Sequence, residues 1–271
     1  MNITFIGGGN MAGALISGLT KQGCPSASIR VVERSPEARE QLQQKFGVAT
    51  FDQPDAQALA CDILVLAVKP QQLRDVAVQL QSKIAGKLVI SIAAGVRAPD
   101  LARWLGGHEQ LVRAMPNTPA MILSGITGLY ALPGVSAEQK QQAEGVLSAV
   151  GTVVWLDAET QMDAITAVSG SGPAYAFYFM EALEAAARDF GFAAGAARHL
   201  AVETFLGAAK LAAASDEDLA TLRARVTSKG GTTERALVTM ETDAVKANIV
   251  RAVKAAAERS RELGDELGKA G

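Results

Sequence analysis

The sequence predicts an α/β domain with a mostly parallel, doubly wound sheet over residues 1–158, followed by an all-helical domain over residues 159–271. Three observations carry this. The first half holds short, uniformly apolar runs separated by helical stretches, the pattern of strands buried on both faces. The second half has almost no β-branched runs and long alanine-rich segments of helical period. A length of 271 residues with 49% hydrophobic and 20% charged content is enough for two cores and excludes a disordered or disulfide-stapled chain.

Taken in order, residues 2–6 (NITFI) form a strand that stops at glycine, and Asn10 to about Lys21 places Met11, Leu15, Ile16 and Leu19 on one helical face. Further strands are expected at Ile29–Val32, Ile63–Val68, Leu88–Ile92 and Leu111–Ala114, with amphipathic helices such as Glu37–Phe46 between them. Gly151–Leu156 closes this half. Helices follow over Thr160–Asp189, Ala193–Ala214, Asp216–Val226 and Thr232–Leu267, the last broken near Asp243. Alanine supplies helix propensity but little burial, so such helices must pack closely and share faces with another chain. A homodimer or higher homo-oligomer is expected, with an alanine-rich monomeric bundle as the alternative.

Charge and termini narrow the function. The net charge is −2 with acids and bases interspersed, which argues against nucleic-acid and membrane partners. The N-terminus reads as an internal strand instead of an export signal, so a cytoplasmic protein is expected. Cys24 and Cys61 form no CxxC and have no acidic or histidine partners at metal-ligand spacing; they read as free structural thiols, and no metal is expected. His108 and His199 stand outside every motif and read as structural or solvent-facing.

Gly7, Gly9 and Ala12 satisfy GxGxxA between a strand and a helix, the dinucleotide-binding fingerprint of a Rossmann domain. The first glycine makes the turn, the second admits a pyrophosphate, and the small third residue lets helix pack on strand. Gly7, Gly8, Gly9, Asn10, Met11 and Ala12 are therefore the expected cofactor cradle. The second strand ends in Val32-Glu33-Arg34-Ser35, which carries both flavours of cofactor signal. An acid at this place takes the ribose hydroxyls of NAD; with Glu33 turned away, Arg34 and Ser35 can clamp the extra phosphate of NADP. The reading favours NADP(H), with NAD(H) accommodated, against the alternative that Glu33 and Arg34 are only a solvated charge pair. Ala67, Val68, Lys69 and Pro70, and Ala93 and Ala94 before Gly95, follow the third and fourth strands, where loops cover a ligand.

The other informative segment is VTSKGGTT, Val226–Thr233, directly ahead of a helical stretch. Paired glycines can turn their N–H groups towards one point, Ser228, Thr232 and Thr233 add hydroxyls, and the helix aims its positive end at the same place. This is a pocket for a small anion, most simply a substrate carboxylate.

Together FIGGGNMA, AVKP, SIAAG, RAMPNTP, AVSGSGPAY and VTSKGGTT resemble, in this order and over almost the whole chain, pyrroline-5-carboxylate reductase. The resemblance implies a Rossmann domain, a helical domain that joins a second subunit, and reduction of a cyclic imino acid to L-proline. It implies a carboxylate held through Gly231 and Thr232 in a substrate-binding loop that includes Ser228 and Gly230, with Thr233 near the ring nitrogen and catalytic. Imine reduction needs a hydride at carbon and a proton at nitrogen, so a donor beside nitrogen suffices. By resemblance Glu159 lies near the substrate; as a helix-start charge it would contribute about 0.3–1 kcal/mol, and both readings stand. Met115–Pro119 shape the nicotinamide end, with Asn117 as its polar contact, and Ser169–Pro173 reads as an active-site wall or a helix break. Two residues depart from the family's pattern: Lys229 stands where proline is usual, and Pro54 where an asparagine is often offered to the ribose. The rival readings are a β-hydroxyacid dehydrogenase, whose lysine and asparagine are missing from SGSGPAYAFYFMEALEAAARD, and a cofactor-binding regulator without turnover.

Overall fold

The structure, a computed structural model, describes residues 1–269. Its strands are β1 (Ile3–Ile6), β2 (Ile29–Val32), β3 (Ala49–Phe51), β4 (Ile63–Leu66), β5 (Leu88–Ser91), β6 (Leu111–Met115), β7 (Gly125–Ala131) and β8 (Gly151–Trp155). The helices of the first half are α1 (Asn10–Lys21), α2 (Pro36–Phe46), α3 (Pro70–Leu80), α4 (Ala98–Trp104) and α5 (Ala137–Leu147). Those of the second are α6 (Gln161–Ile165), α7 (Gly172–Asp189), α8 (Ala194–Ala213), α9 (Leu219–Arg225), α10 (Thr232–Thr242) and α11 (Val245–Lys269). No described helix is long and apolar enough to cross a membrane.

The strands form one sheet in the order β3-β2-β1-β4-β5-β6-β7-β8, parallel except where β6 meets β7. The exception has a steric cause. Residues 116–124 are too few for a crossover to a parallel neighbour, which takes a dozen or more, so the chain returns antiparallel. Neither β7 nor β3 is among the expected strands: GITGLYA carries two glycines, and β3 is a short edge strand that is only partly covered.

Alternate strand residues feed two cores, one on each face of the sheet. Ile3, Phe5, Ile63 and Val65 pack with Leu15 and Ile16 of α1 and Val146 of α5. Ile6, Leu64 and Leu66 pack with Leu73 and Leu80 of α3 and Leu101 of α4. This is the doubly wound architecture expected. The approach of α1 to its neighbour is close enough to require glycine, since a Cβ at Gly18 would lie 2.2 Å from the Ala149 carbonyl oxygen.

The chain forms two compact units, Met1–Ser171 together with the chain from Ala256 on, and Gly172–Ala255. In the first unit the last part of α11 is held by polar contacts: Arg97 binds the Asp265 carboxylate at 2.8 Å, and Ser260 Oγ donates to Asp163 at 2.7 Å. In the second unit α7 packs on α8, and of its residues only Ala197 and Ala201 are buried. The break expected near Asp243 falls there, with Ala244 in the left-handed region at φ 53° between α10 and α11. The expected helix over Thr160–Asp189 is α6, a wider π-helical turn over Thr166–Gly170, and α7.

Candidate functional site

The order of the sheet reverses direction between β1 and β4, and crevices at the carboxyl ends of such strands are where α/β sheets take ligands. The glycine loop lies there. Gly7 has φ 101°, and a Cβ on it would meet the Ala67 carbonyl oxygen at 2.8 Å, so the loop after β1 abuts the loop after β4. Gly7 N donates to Val32 O, which ties the turn to β2. By contrast nothing lies within 4 Å of a Cβ placed at Gly9, which is the N-cap of α1 and has no side-chain cap. The backbone at Gly9 therefore leaves room for a ligand at the positive end of α1, where the first-turn amides have no helical partner, which fits a bound pyrophosphate. Ala12 is fully buried and lets α1 lie against the sheet; Met11 packs against the same core.

At the end of β2 the geometry differs from the expected clamp. Glu33 is turned towards the glycine loop, with Oε2 accepting from Gly8 N at 2.9 Å and Oε1 from Ser35 N at 3.1 Å. Ser35 Oγ accepts from Ala38 N, capping α2, and donates to Glu37 Oε2 at 2.6 Å. That bond holds the Glu37 carboxyl below its ordinary range. The Ser35 hydroxyl expected for a phosphate is thus engaged, because an extended serine ahead of Pro36 is a ready helix cap. Arg34 remains exposed.

Lys69 is exposed at the N-cap of α3 with Pro70 in the first turn, while Ala67 and Val68 are half-buried behind them. Ala93 is buried in the second core, and Ala94 is open to solvent. The loop carrying both is fixed by Glu159, whose Oε1 accepts from Ala98 N at 2.9 Å and from Arg113 Nη1 at 2.6 Å. The Arg113 side chain, within β6, is 4% exposed and that of Glu159 18%. Glu159 is thus committed to a buried ion pair within the first unit, a role that neither sequence reading of it included. Its other carboxylate oxygen, Oε2, is buried without a partner among the described residues. Arg113 itself is absent from the expected site residues. Its signal was an arginine inside an otherwise apolar strand, which a fold tolerates only with a partner.

The turn after β6 is anchored by Asn117, which is buried. Its Oδ1 accepts from Ile126 N at 3.0 Å and its Nδ2 donates to Ser169 O at 3.1 Å. The second bond has a cause in sequence. In a regular helix Ser169 O would accept from residue 173, but Pro173 has no N–H, and the carboxamide of Asn117 takes its place. The same stretch widens into the π-helical turn, with Ser171 N donating to Thr166 O. A Cβ at Gly170 would meet Met115 Cε at 2.7 Å. The Ser169–Gly170 segment is therefore both a helix irregularity and the wall against which the Met115–Pro119 turn sits. Asn117, expected to touch the nicotinamide, uses its amide to join the two.

In the second unit, residues Val226–Thr233 form a turn leading into α10, with Gly230 at φ 75°. The donors are not distributed as expected. Gly230 N donates to Glu234 Oε2 at 2.6 Å and Gly231 N to Ser228 O at 3.0 Å, so neither glycine amide is free for a carboxylate. The cause is local: a glutamate in the first turn of a helix reaches back to a preceding amide, and the glycine pair closes a tight turn. Gly231 is the N-cap of α10 and brings no side chain to the cap. Among the described residues the amides and hydroxyls of Thr232 and Thr233 have no partner, and both residues are exposed at the start of the helix. These are the groups available to an anion.

Elsewhere, His108 Nε2 lies 2.9 Å from Lys87 O, and burial pulls its pKa down. Cys61 is buried, which pushes its thiol up, and both cysteines are free.

Known proteins resemble this chain over nearly its whole length. A family model described as pyrroline-5-carboxylate reductase dimerisation matches residues 159–263, and one described as NADP oxidoreductase, coenzyme F420-dependent, matches residues 2–95. The pyrroline-5-carboxylate reductase of Pseudomonas aeruginosa is 45% identical over 98% of both chains, and that of Pisum sativum 36% identical over 96% of this chain and 94% of its own. The structure of the Coxiella burnetii pyrroline-5-carboxylate reductase superposes with a TM-score of 0.92 at 43% identity, covering 97% of this chain and 98% of that one. The Plasmodium falciparum pyrroline carboxylate reductase, solved with NADP bound, gives 0.86 at 27% identity, with the same coverage of both chains. The chain belongs to the pyrroline-5-carboxylate reductase family.

Proposed function

We propose that this protein reduces 1-pyrroline-5-carboxylate to L-proline with NAD(P)H, acting in the cytoplasm as a homodimer or higher homo-oligomer. The observation that carries the reading is the set of unpartnered donors on Thr232 and Thr233 at the start of α10, in a chain that also holds an open glycine loop at the switch point of its sheet. A reduced nicotinamide bound at the glycine loop would supply the hydride for the imine carbon. The amides of Thr232 and Thr233 at the helix end bind the substrate carboxylate. As the carbon–nitrogen π pair collapses onto nitrogen, the Thr233 hydroxyl donates a hydrogen bond there, and the nitrogen takes a proton that water supplies through that hydroxyl, which is left neutral. Glu159 and Arg113 hold the loops around the nicotinamide end, and Asn117 holds its turn.

The reaction is tested by following nicotinamide absorbance with purified protein, NADPH and 1-pyrroline-5-carboxylate. Decay with the imine is expected. Turnover of a hydroxyacid with the oxidised cofactor selects the dehydrogenase reading, and cofactor binding with no turnover selects the regulator.

NADP(H) is the preferred cofactor and NAD(H) is also used. Arg34 is the exposed cation at the end of β2, while the Glu33 carboxylate beside the loop suits a ribose hydroxyl. Arg34→Ala is expected to raise the KM for NADPH about 10-fold, the effect of one charge-assisted bond of about 1.5 kcal/mol, and to leave NADH nearly unaffected. Equal losses for both cofactors would show that Arg34 does not read the phosphate.

A further inference from the structure

We infer that Glu234 is a positioning residue for the reductase: its carboxylate holds the Ser228–Gly231 turn in the form that the imino-acid carboxylate meets. The inference rests on the preceding reading of this loop as the carboxylate site.

The turn has little stiffness of its own. Ser228-Lys229-Gly230-Gly231 contains no ring and no β-branched residue, and glycine has the widest conformational freedom of any residue type. Gly230 occupies φ 75°, one of several states open to it. Two hydrogen bonds select that state. One is the short bond within the turn from Gly231 N to Ser228 O, at 3.0 Å. The other is the charge-assisted bond from Gly230 N to Glu234 Oε2, at 2.6 Å. Glu234 is partly buried in the first turn of α10, so the helix fixes the acceptor and the acceptor fixes the glycine.

This bond also decides which donors a ligand meets. With Gly230 N occupied, the anion is left to Thr232 and Thr233, next to the hydroxyl proposed to serve the ring nitrogen. A carboxylate drawn instead to Gly230 N would sit two residues earlier in the chain, away from that hydroxyl. Glu234 therefore places the substrate by taking the competing donor. It does so without touching the reacting atoms.

The test is steady-state kinetics of the full-length protein with 1-pyrroline-5-carboxylate varied at saturating NADPH, then the reverse, on Glu234→Ala and Glu234→Gln. In Glu234→Ala the kcat/KM for the imine is expected to fall about 10-fold, the worth of a charge-assisted hydrogen bond at a partly exposed site, with a lower kcat because the carboxylate can now sit away from the Thr233 hydroxyl, and with the KM for NADPH within about 2-fold. Glu234→Gln keeps an acceptor oxygen and is expected to stay within about 3-fold of wild type. A kcat/KM for the imine that is unchanged in Glu234→Ala, or a glutamine variant as impaired as the alanine one, overturns the inference. So does an equal rise in both KM values, which would mean general loosening. Wild-type protein that fails to oxidise NADPH with the imine overturns the functional reading and this inference together. An active wild type with an unmoved alanine variant overturns this inference alone.

Discussion

Thr233→Val is expected to lower kcat about 10²-fold, the usual effect of deleting one well-placed donor to a transition state, while the KM for NADPH stays unchanged. Valine is nearly isosteric with threonine, and the Thr233 side chain is exposed without a partner among the described residues, so the fold has nothing to lose. The Thr233 amide also survives the change, which separates proton delivery from carboxylate binding. The KM for the imine should therefore move far less than kcat. Serine at the same position restores the hydroxyl and should recover most of the rate. Unchanged turnover in the valine variant would remove this side chain from the mechanism and leave bound water as the proton source.

Glu159→Ala is expected to destabilise the protein by about 3–5 kcal/mol, the cost of leaving a buried charge without its partner. The Arg113 guanidinium is almost wholly enclosed in the sheet, and Glu159 Oε1 is its acceptor at 2.6 Å as well as the acceptor for Ala98 N. Removing the carboxylate strands both donors. Denaturant unfolding would show the loss as a lower midpoint at unchanged slope. Replacing both members, Arg113→Met with Glu159→Leu, removes the charge along with its partner and should be more stable than Glu159→Ala alone. A substrate-contacting carboxylate would behave in the opposite way, with normal stability and a raised KM for the imine; a cost under about 1 kcal/mol would favour that role.

How far the sequence discloses this molecule depends on whether a property is periodic or rotameric. Short, mostly apolar runs marked β1, β2, β4, β5, β6 and β8, although Thr4, Arg30, Ser91 and Arg113 interrupt them and β8 is only partly buried. The strand β7 escaped because Gly125 and Gly128 break that signature, and both are needed where Cβ atoms would strike Ala120 and Ile165. Spacing alone located the glycine loop and the turn before α10. It could not assign their hydrogen bonds. Whether Gly8 N serves a cofactor or Glu33, and whether Gly230 N serves a substrate or Glu234, follows from side-chain torsions that a string of letters does not contain. The bond between Asn117 and Ser169 is an intermediate case: Pro173 announces a carbonyl without its helical donor, but only the folded chain names the substitute.

The second unit carries a different consequence. From Gly172 to Ala255 only two alanines are shielded from water, while Phe177, Phe190, Leu211 and Leu219 are each more than half exposed. Free energy that a monomer would draw from its own interior must here come from association with the second copy proposed above, and association depends on mass action. Dilution thus acts on this protein as a denaturant: each tenfold fall in concentration withdraws about 1.4 kcal/mol per mole of dimer, and its melting temperature has meaning only beside the concentration at which it was recorded.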